Sequence, residues 1–216
     1  MTPARSSLPF GTTRMRVLLD DQNCFIDVNT IGEAVAAAAD AAEQAGRLVV
    51  EVRVDGDSLS DEELQEPGRL EATAEEVQLL TTTMNILLRE TFLHAAQALL
   101  EADAVQRNAA ELMQGGQAAE GMQSLLGALE TWSGIRDAVV KGLGLADVNP
   151  EEIVVNDVRL PDAIGGLQIR LGALKAAMVA EDVAATCDCL LYDLPESTRD
   201  WHIILGGLAE RFPDPA

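Results

Sequence analysis

The chain has 216 residues, 48% of them hydrophobic and only 3% aromatic, so an ample core has to be built from Ala, Val, Leu and Ile. Thirty-six acidic against fifteen basic side chains give a net charge of −21, a surface that repels phosphate backbones and anionic lipid and disfavours nucleic acid and membranes as partners. No apolar run approaches the roughly 18 residues of a spanning helix, and three cysteines make no disulfide framework, so reduced thiols in the cytoplasm are expected.

Residues 1–14 are polar, lack the apolar core of a signal peptide and are expected to be flexible. MRVLLD then alternates Met15, Val17 and Leu19 on one face, DQN is a turn cluster, and CFIDV alternates again with Cys24, Ile26 and Val28 together. That predicts a hairpin. Asn29 or Thr30 caps the helix that follows, with Glu33 where a capping-box acid belongs and Gly46 as the terminating residue. Its apolar side is mostly alanine, which lets it lie close to a sheet. LVVEVRV predicts a half-buried strand with Val50, Val52 and Val54 on one face. Asp55-Gly56 is a tight-turn pair, Ser60 and Glu63 form the ends of a capping box, and Pro67-Gly68 breaks the short helical turn. RLEATAEE, with Leu70, Ala72 and Ala74 inward, predicts the last strand of this segment.

The stretch VDGDSLSDEE invites a calcium-loop reading, which fails on spacing. From Asp55, the fifth position is Leu59 and the sixth is Ser60, where such a loop needs an oxygen ligand and a glycine.

Taken in order, hairpin, helix, strand, tight turn, helical turn and strand, residues 15–76 resemble the ubiquitin-like β-grasp domains. The resemblance covers about sixty residues and is one of topology. It implies a small scaffold used mostly for protein contacts. Conjugated modifiers of that family end in a free diglycine tail, whereas here the chain runs on into VQLLTTTMNILL, so their covalent role is not implied.

Beyond residue 77 the period changes to that of helices. Ile86, Leu87, Leu93, Ala96, Leu99, Leu100, Ala104, Val105 and Leu112 define the first stripe, with Phe92 off that face and Asp103 capping a second section. Gly115-Gly116 ends it. A second helix covers about 118–143, with Leu125, Leu129, Trp132, Ile135 and Val139 on its stripe. Residues 144–160 are the expected crossover. A third helix starts near Pro161 and shows Ile164, Leu167, Leu171, Leu174 and Met178; a fourth covers 182–194, restarts at Pro195 and carries Trp201, Ile204, Leu205, Leu208 and Phe212. The expected fold is therefore α+β: a small ubiquitin-like β-grasp domain at 15–76 followed by an antiparallel four- or five-helix bundle at 77–216. Helix lengths and apolar spacing over about 130 residues are similar to those of helical-bundle chaperones such as flagellar export chaperones. That resemblance implies a groove that holds an unassembled partner.

Chemistry is sparse. His94 and His202 have no nucleophile near them in the pattern, and Cys187-x-Cys189 points two thiols to different faces of a helix, with Cys187 in the core and Cys189 partly exposed. Carboxylate pairs such as Glu62-Glu63 diverge, and the glycine pairs lack a phosphate-loop context. No catalytic residue, metal ligand or cofactor is expected. Between residues 55 and 76 nine acids face one arginine, a surface suited to a basic partner. The first reading is a non-enzymatic adaptor, chaperone or assembly factor that binds a basic or helical protein or a second copy of itself; the residues named for docking are Asp55, Asp57, Asp61, Glu62, Glu63, Trp132 and Trp201. The alternatives are a hydrolase with a carboxylate or divalent-metal site between the two domains, and an acidic mimic that blocks a basic surface.

Overall fold

The computed structural model describes residues 15–214; the N-terminal segment expected to be flexible, residues 1–14, lies outside the described residues. The chain is α+β and divides into two compact units, one ending at Met84 and the other beginning at Asn85.

The first unit is a five-stranded mixed sheet with a helix on one face. Strands β1 (Arg16–Leu19) and β2 (Gln22–Cys24) form the hairpin, followed by helix α1 (Ile31–Gln44), β3 (Leu48–Val54), β4 (Asp57–Ser58), the short helix α2 (Pro67–Leu70) and β5 (Glu76–Thr82). The strand order is β2-β1-β5-β3-β4, with β1 parallel to β5 and the other pairs antiparallel. Thr30 caps α1 by accepting from the Glu33 N–H at 3.2 Å, while Glu33 reaches back one residue past the cap and accepts from the Asn29 N–H at 2.8 Å, a variant of the capping box expected there. Ile31, Ala34, Ala38 and Ala42 are the buried face of α1, and Val17, Val52, Val54, Val77 and Leu79 meet it from the sheet.

Three expectations shift in this unit. The hairpin turn is Asp20-Asp21, with φ of 47° and 64°, the doubly left-handed pair that a two-residue connection demands; strand β2 therefore starts at Gln22 and ends at Cys24. Val50 is 52% exposed because the β3–β5 register slips between Val49 and Glu51, a bulge that takes one residue out of alternation. The last strand is Glu76–Thr82, and Leu70, Ala72 and Ala74 pack against the core from the segment before it. The sheet thus uses residues past 76, the expected end of the domain.

The second unit holds four long helical runs: α3 (Met84–Gln114), α4 (Ala118–Leu145), α5 (Leu160–Val179), and the run formed by α6 (Val183–Asp188), a π turn at Cys189–Asp193 and α7 (Leu194–Arg211). Their buried positions keep a seven-residue repeat. In α3 Leu88, Phe92, Ala95, Leu99, Ala102, Gln106, Ala109 and Met113 alternate spacings of four and three; in α4 Gly121, Leu125, Ala128, Trp132, Ile135, Val139 and Gly142 do the same. This is the seam of helices crossing at a shallow angle. Phe92 is fully buried on it, whereas Leu93 and Leu100 are each 46% exposed, so the stripe lies about one residue away from the expected one. The helix runs unbroken past Asp103, which pairs with Arg107 at 2.8 Å instead of capping a new section.

Contacts fix the directions. A side chain at Gly121 would strike Ala109 and Met113, and one at Gly142 would meet Leu88 and Phe92, so α4 returns antiparallel to α3. The Phe92 and Phe212 rings lie 5.9 Å apart, while Cys187 Sγ lies 3.6 Å from the Ala110 carbonyl, so the last run is also antiparallel to α3. Arg170 Nη1 donates to Ser197 Oγ at 2.9 Å and Trp201 Nε1 to the Ala163 carbonyl at 3.3 Å, which turns α5 antiparallel to α7 and hence to α4. The expected crossover contains a small hairpin, β6 (Val154–Val155) and β7 (Val158–Arg159), turned by Asn156 and Asp157 with φ of 47° and 66°. It lies against α7 where Gly207 leaves room: a Cβ there would clash with the Val155 side chain.

Candidate functional site

Between α4 and α5 the seam does not close. Trp132 and Trp201, each 1% exposed and stacked edge to face at 6.2 Å, form the floor of a trough with Leu167 and Leu174. Leu129, Ile164, Leu171 and Met178 are its half-buried walls, and Ser133, Arg136, Gln168 and Lys175 its exposed rim. The cavity measures about 320 Å³. On α5 the wall and floor residues are Ile164, Leu167, Leu171, Leu174 and Met178, a stripe at spacings of three and four. A stripe left half open along a helix pair is a groove that takes the apolar face of a further helix.

Behind the floor the apolar helical interior holds a few polar groups. Gln106 is fully buried; its Oε1 accepts from Trp132 Nε1 at 3.0 Å, and its own amide nitrogen has no partner among the described residues. Thr198 Oγ1 donates to the Leu194 carbonyl at 3.2 Å and contacts Asp103 Oδ1 at 3.4 Å. Both tryptophan N–H groups are thus bonded inside the protein; the rings support the trough from beneath, and the surface it offers is that of Leu129, Ile164, Leu171 and Met178.

The sites expected from sequence fall into three groups. Trp132 and Trp201 come together as the trough floor. Asp55 and Glu63 are committed to their own backbone: Asp55 Oδ1 accepts from the Glu75 and Glu76 N–H groups at 2.9 and 2.8 Å, and Glu63 Oε2 accepts from the Ser60 N–H at 2.9 Å. The Ser60 N–H and hydroxyl hold the Glu63 carboxyl below its ordinary value. Asp57, Asp61 and Glu62 are exposed, with no bond to another side chain among the described residues. The structure does not gather the acidic stretch around one point.

Cys187 and Cys189 are both buried, which corrects the expected exposure of Cys189. The π turn adds a residue to one turn of helix and swings Cys189 back to the core side. Burial raises both thiols above their ordinary value, and Asp188 adds to this at Cys187 and Asp193 at Cys189. Such thiols are poor nucleophiles. His94 is exposed on a shallow depression with Thr91, Ala98, Thr131, Gly134 and Ala138; His202 is exposed on α7. Among the described residues no three His, Cys, Asp or Glu side chains converge to hold a metal ion, and no helix is long and apolar enough to cross a membrane.

Sequence reasoning missed the rim. Arg136 and Lys175 are unremarkable on their own helices, and only the antiparallel packing of α4 on α5 brings them to one trough. A signal was present in the run Leu129-x-x-Trp132-Ser133-x-x-Arg136, where the heptad seam carries a second apolar row that its own unit leaves half covered. No family model, curated protein or solved structure matches the chain.

Proposed function

We propose that this chain is a non-enzymatic interaction module, an adaptor, chaperone or assembly factor of the cytoplasm, in which a ubiquitin-like β-grasp head is joined to a helical bundle that receives part of a protein partner. The β2-β1-β5-β3-β4 order with a parallel central β1–β5 pair supports the β-grasp reading. The observation that carries the function is the open α4–α5 seam, an apolar trough walled by half-buried Leu129, Ile164, Leu171 and Met178 with two tryptophans beneath it. The chaperone resemblance gives the mode, which is helix in groove. Partner capture from native lysate, with the mass of the purified chain and its complexes measured by light scattering, tests it. Wild type should form a stoichiometric complex. Leu171→Glu, which puts a carboxylate on the trough wall, should abolish capture while the helical circular dichroism is kept. Equal capture by both proteins would move the interaction off this trough.

A further inference from the structure

The charges around the trough run against the rest of its unit. Residues 85–216 hold 20 acidic and nine basic side chains, yet among the described residues the only charged ones lining the trough are Arg136 and Lys175. Lys175 makes no ion pair among the described residues, and Arg136 meets only its neighbour Asp137 at 2.8 Å, an exposed contact of little energetic worth.

Their placement matters more than their sign. Trp201 touches Trp132 from one side and the Ala163 carbonyl from the other, which sets those two residues at one level of the bundle. Because α4 and α5 run antiparallel, Arg136 stands beyond that level near the start of α5, and Lys175 stands twelve residues down it. At a rise of 1.5 Å per residue the two cations are about 18–24 Å apart along the axis, or three to four helical turns. A single-headed amphiphile would answer one of them. An elongated apolar ligand with a negative group at each end answers both.

We infer that the trough takes an amphipathic helix of a partner protein, with an apolar stripe at spacings of three and four and two carboxylates on its flanks three to four turns apart. This rests on the helix-in-groove reading above and adds the partner's chemistry to it. A strongly acidic partner would be repelled by the unit's excess of carboxylates, so the match is to two placed acids and not to an acidic tail.

Synthetic 20-residue helical peptides with one common leucine stripe test this on the full chain. One set carries Glu, Gln or Lys at two flanking positions fourteen apart, about 21 Å along the helix, and one control carries its two Glu a single turn apart. Emission from Trp132 and Trp201, the only tryptophans in the chain, reports occupancy. The Glu peptide with the wide spacing should bind about threefold to tenfold tighter than the Gln peptide, the range for two exposed ion pairs, and tighter than the close-spaced control. The Lys peptide should be weakest. The double variant Arg136→Glu with Lys175→Glu, both at exposed sites, should reverse the Glu and Lys order. Equal binding by all peptides would overturn the charge-selected partner and leave the groove standing. Emission unchanged by every peptide would overturn both. Dodecanoate displacing the Glu peptide at comparable concentration, or self-association of the chain blocking it, would assign the trough to a small amphiphile or to a second copy and overturn the inference.

Discussion

In the sheet unit the acids at the turns are bonded back into the chain, whereas in the helical unit the conspicuous polar groups are either sealed inside or ranged along a rim. Asp20 accepts from the Thr81 N–H at 2.7 Å and from Arg47 Nε at 3.1 Å, tying the β1–β2 turn to β5 and to the residue that leads into β3. Asp55 does the same for the β3–β4 turn and the start of β5. The helical unit has Gln106 locked to Trp132 at its centre and a trough left open at its side. Dense charge in a strand-rich segment thus serves local geometry. The site suited to another molecule lies instead where helices with a seven-residue repeat carry one more apolar row than their own packing uses.

The comparison is broken or sharpened by substitution. The largest effect belongs to the trough floor. Trp201→Ala removes a fully buried ring and its edge contact with Trp132, and should cost about 3–5 kcal/mol in the denaturant unfolding of the helical unit. A loss below 1 kcal/mol would mean that the floor is not core. Gly121→Ala comes next. The added methyl would stand 2.6 Å from the Ala109 carbonyl oxygen, and overpacking of about 1–3 kcal/mol should exceed the roughly 1 kcal/mol gained in helix propensity; melting temperature decides the sign. Gln106→Leu should lose about 1–2 kcal/mol because it orphans the Trp132 N–H, and adding Trp132→Phe should recover part of that loss. A double-mutant cycle reads the coupling directly.

In the sheet unit the effects are smaller. Burial pushes the Asp20 carboxyl up, but the Thr81 hydroxyl and N–H and the Arg47 charge outweigh it and hold it below the ordinary value. The folded value is depressed, so its contribution is present above the unfolded carboxylate range and is lost as pH falls through the folded value. Asp20→Asn should cost about 1 kcal/mol at neutral pH, discounted because the side chain is 35% exposed, and should flatten the fall in stability below pH 4 as followed by circular dichroism. The triple change Asp57→Asn, Asp61→Asn, Glu62→Gln should move stability by less than about 0.5 kcal/mol. A larger loss would show that these exposed acids hold the fold as Asp55 does.

Much of the local structure was legible because it rests on short-range chemistry. The Thr30–Glu33 and Ser60–Glu63 boxes, the left-handed Gly46, the Asp55-Gly56 turn and the break at Gly115-Gly116 all appear where side-chain chemistry puts them. What failed depended on partners far along the chain. Leu70, Ala72 and Ala74 alternate as a strand would, but Glu76–Thr82 is the segment that finds β1 and β3 as neighbours. In α3 the seam is lined by Ala95, Ala102 and Ala109, while large aliphatic residues at Leu93 and Leu100 face out, so side-chain size pulled the stripe off its phase. Cys189 was misplaced because nothing local announces a π turn. The tryptophans of the trough were legible as apolar stripe; its cationic rim was not, since it exists only once two antiparallel helices have been aligned.

The π turn at Cys189–Asp193 makes the last helical run sensitive to chain length at one place. Leu194 N–H bonds to the Cys189 carbonyl, one residue farther than in an α-helix, just ahead of Pro195, which has no N–H to offer. Excising a single residue from that loop of five would let it rewind to 3.6 per turn with the downstream side chains still in register, whereas rewinding it with every residue kept would rotate everything downstream by about 100°. The indole of Trp201 would then leave the neighbourhood of Trp132, and the tail of the molecule would present a different side to its three companions. One surplus residue there sets the azimuth of the whole of α7.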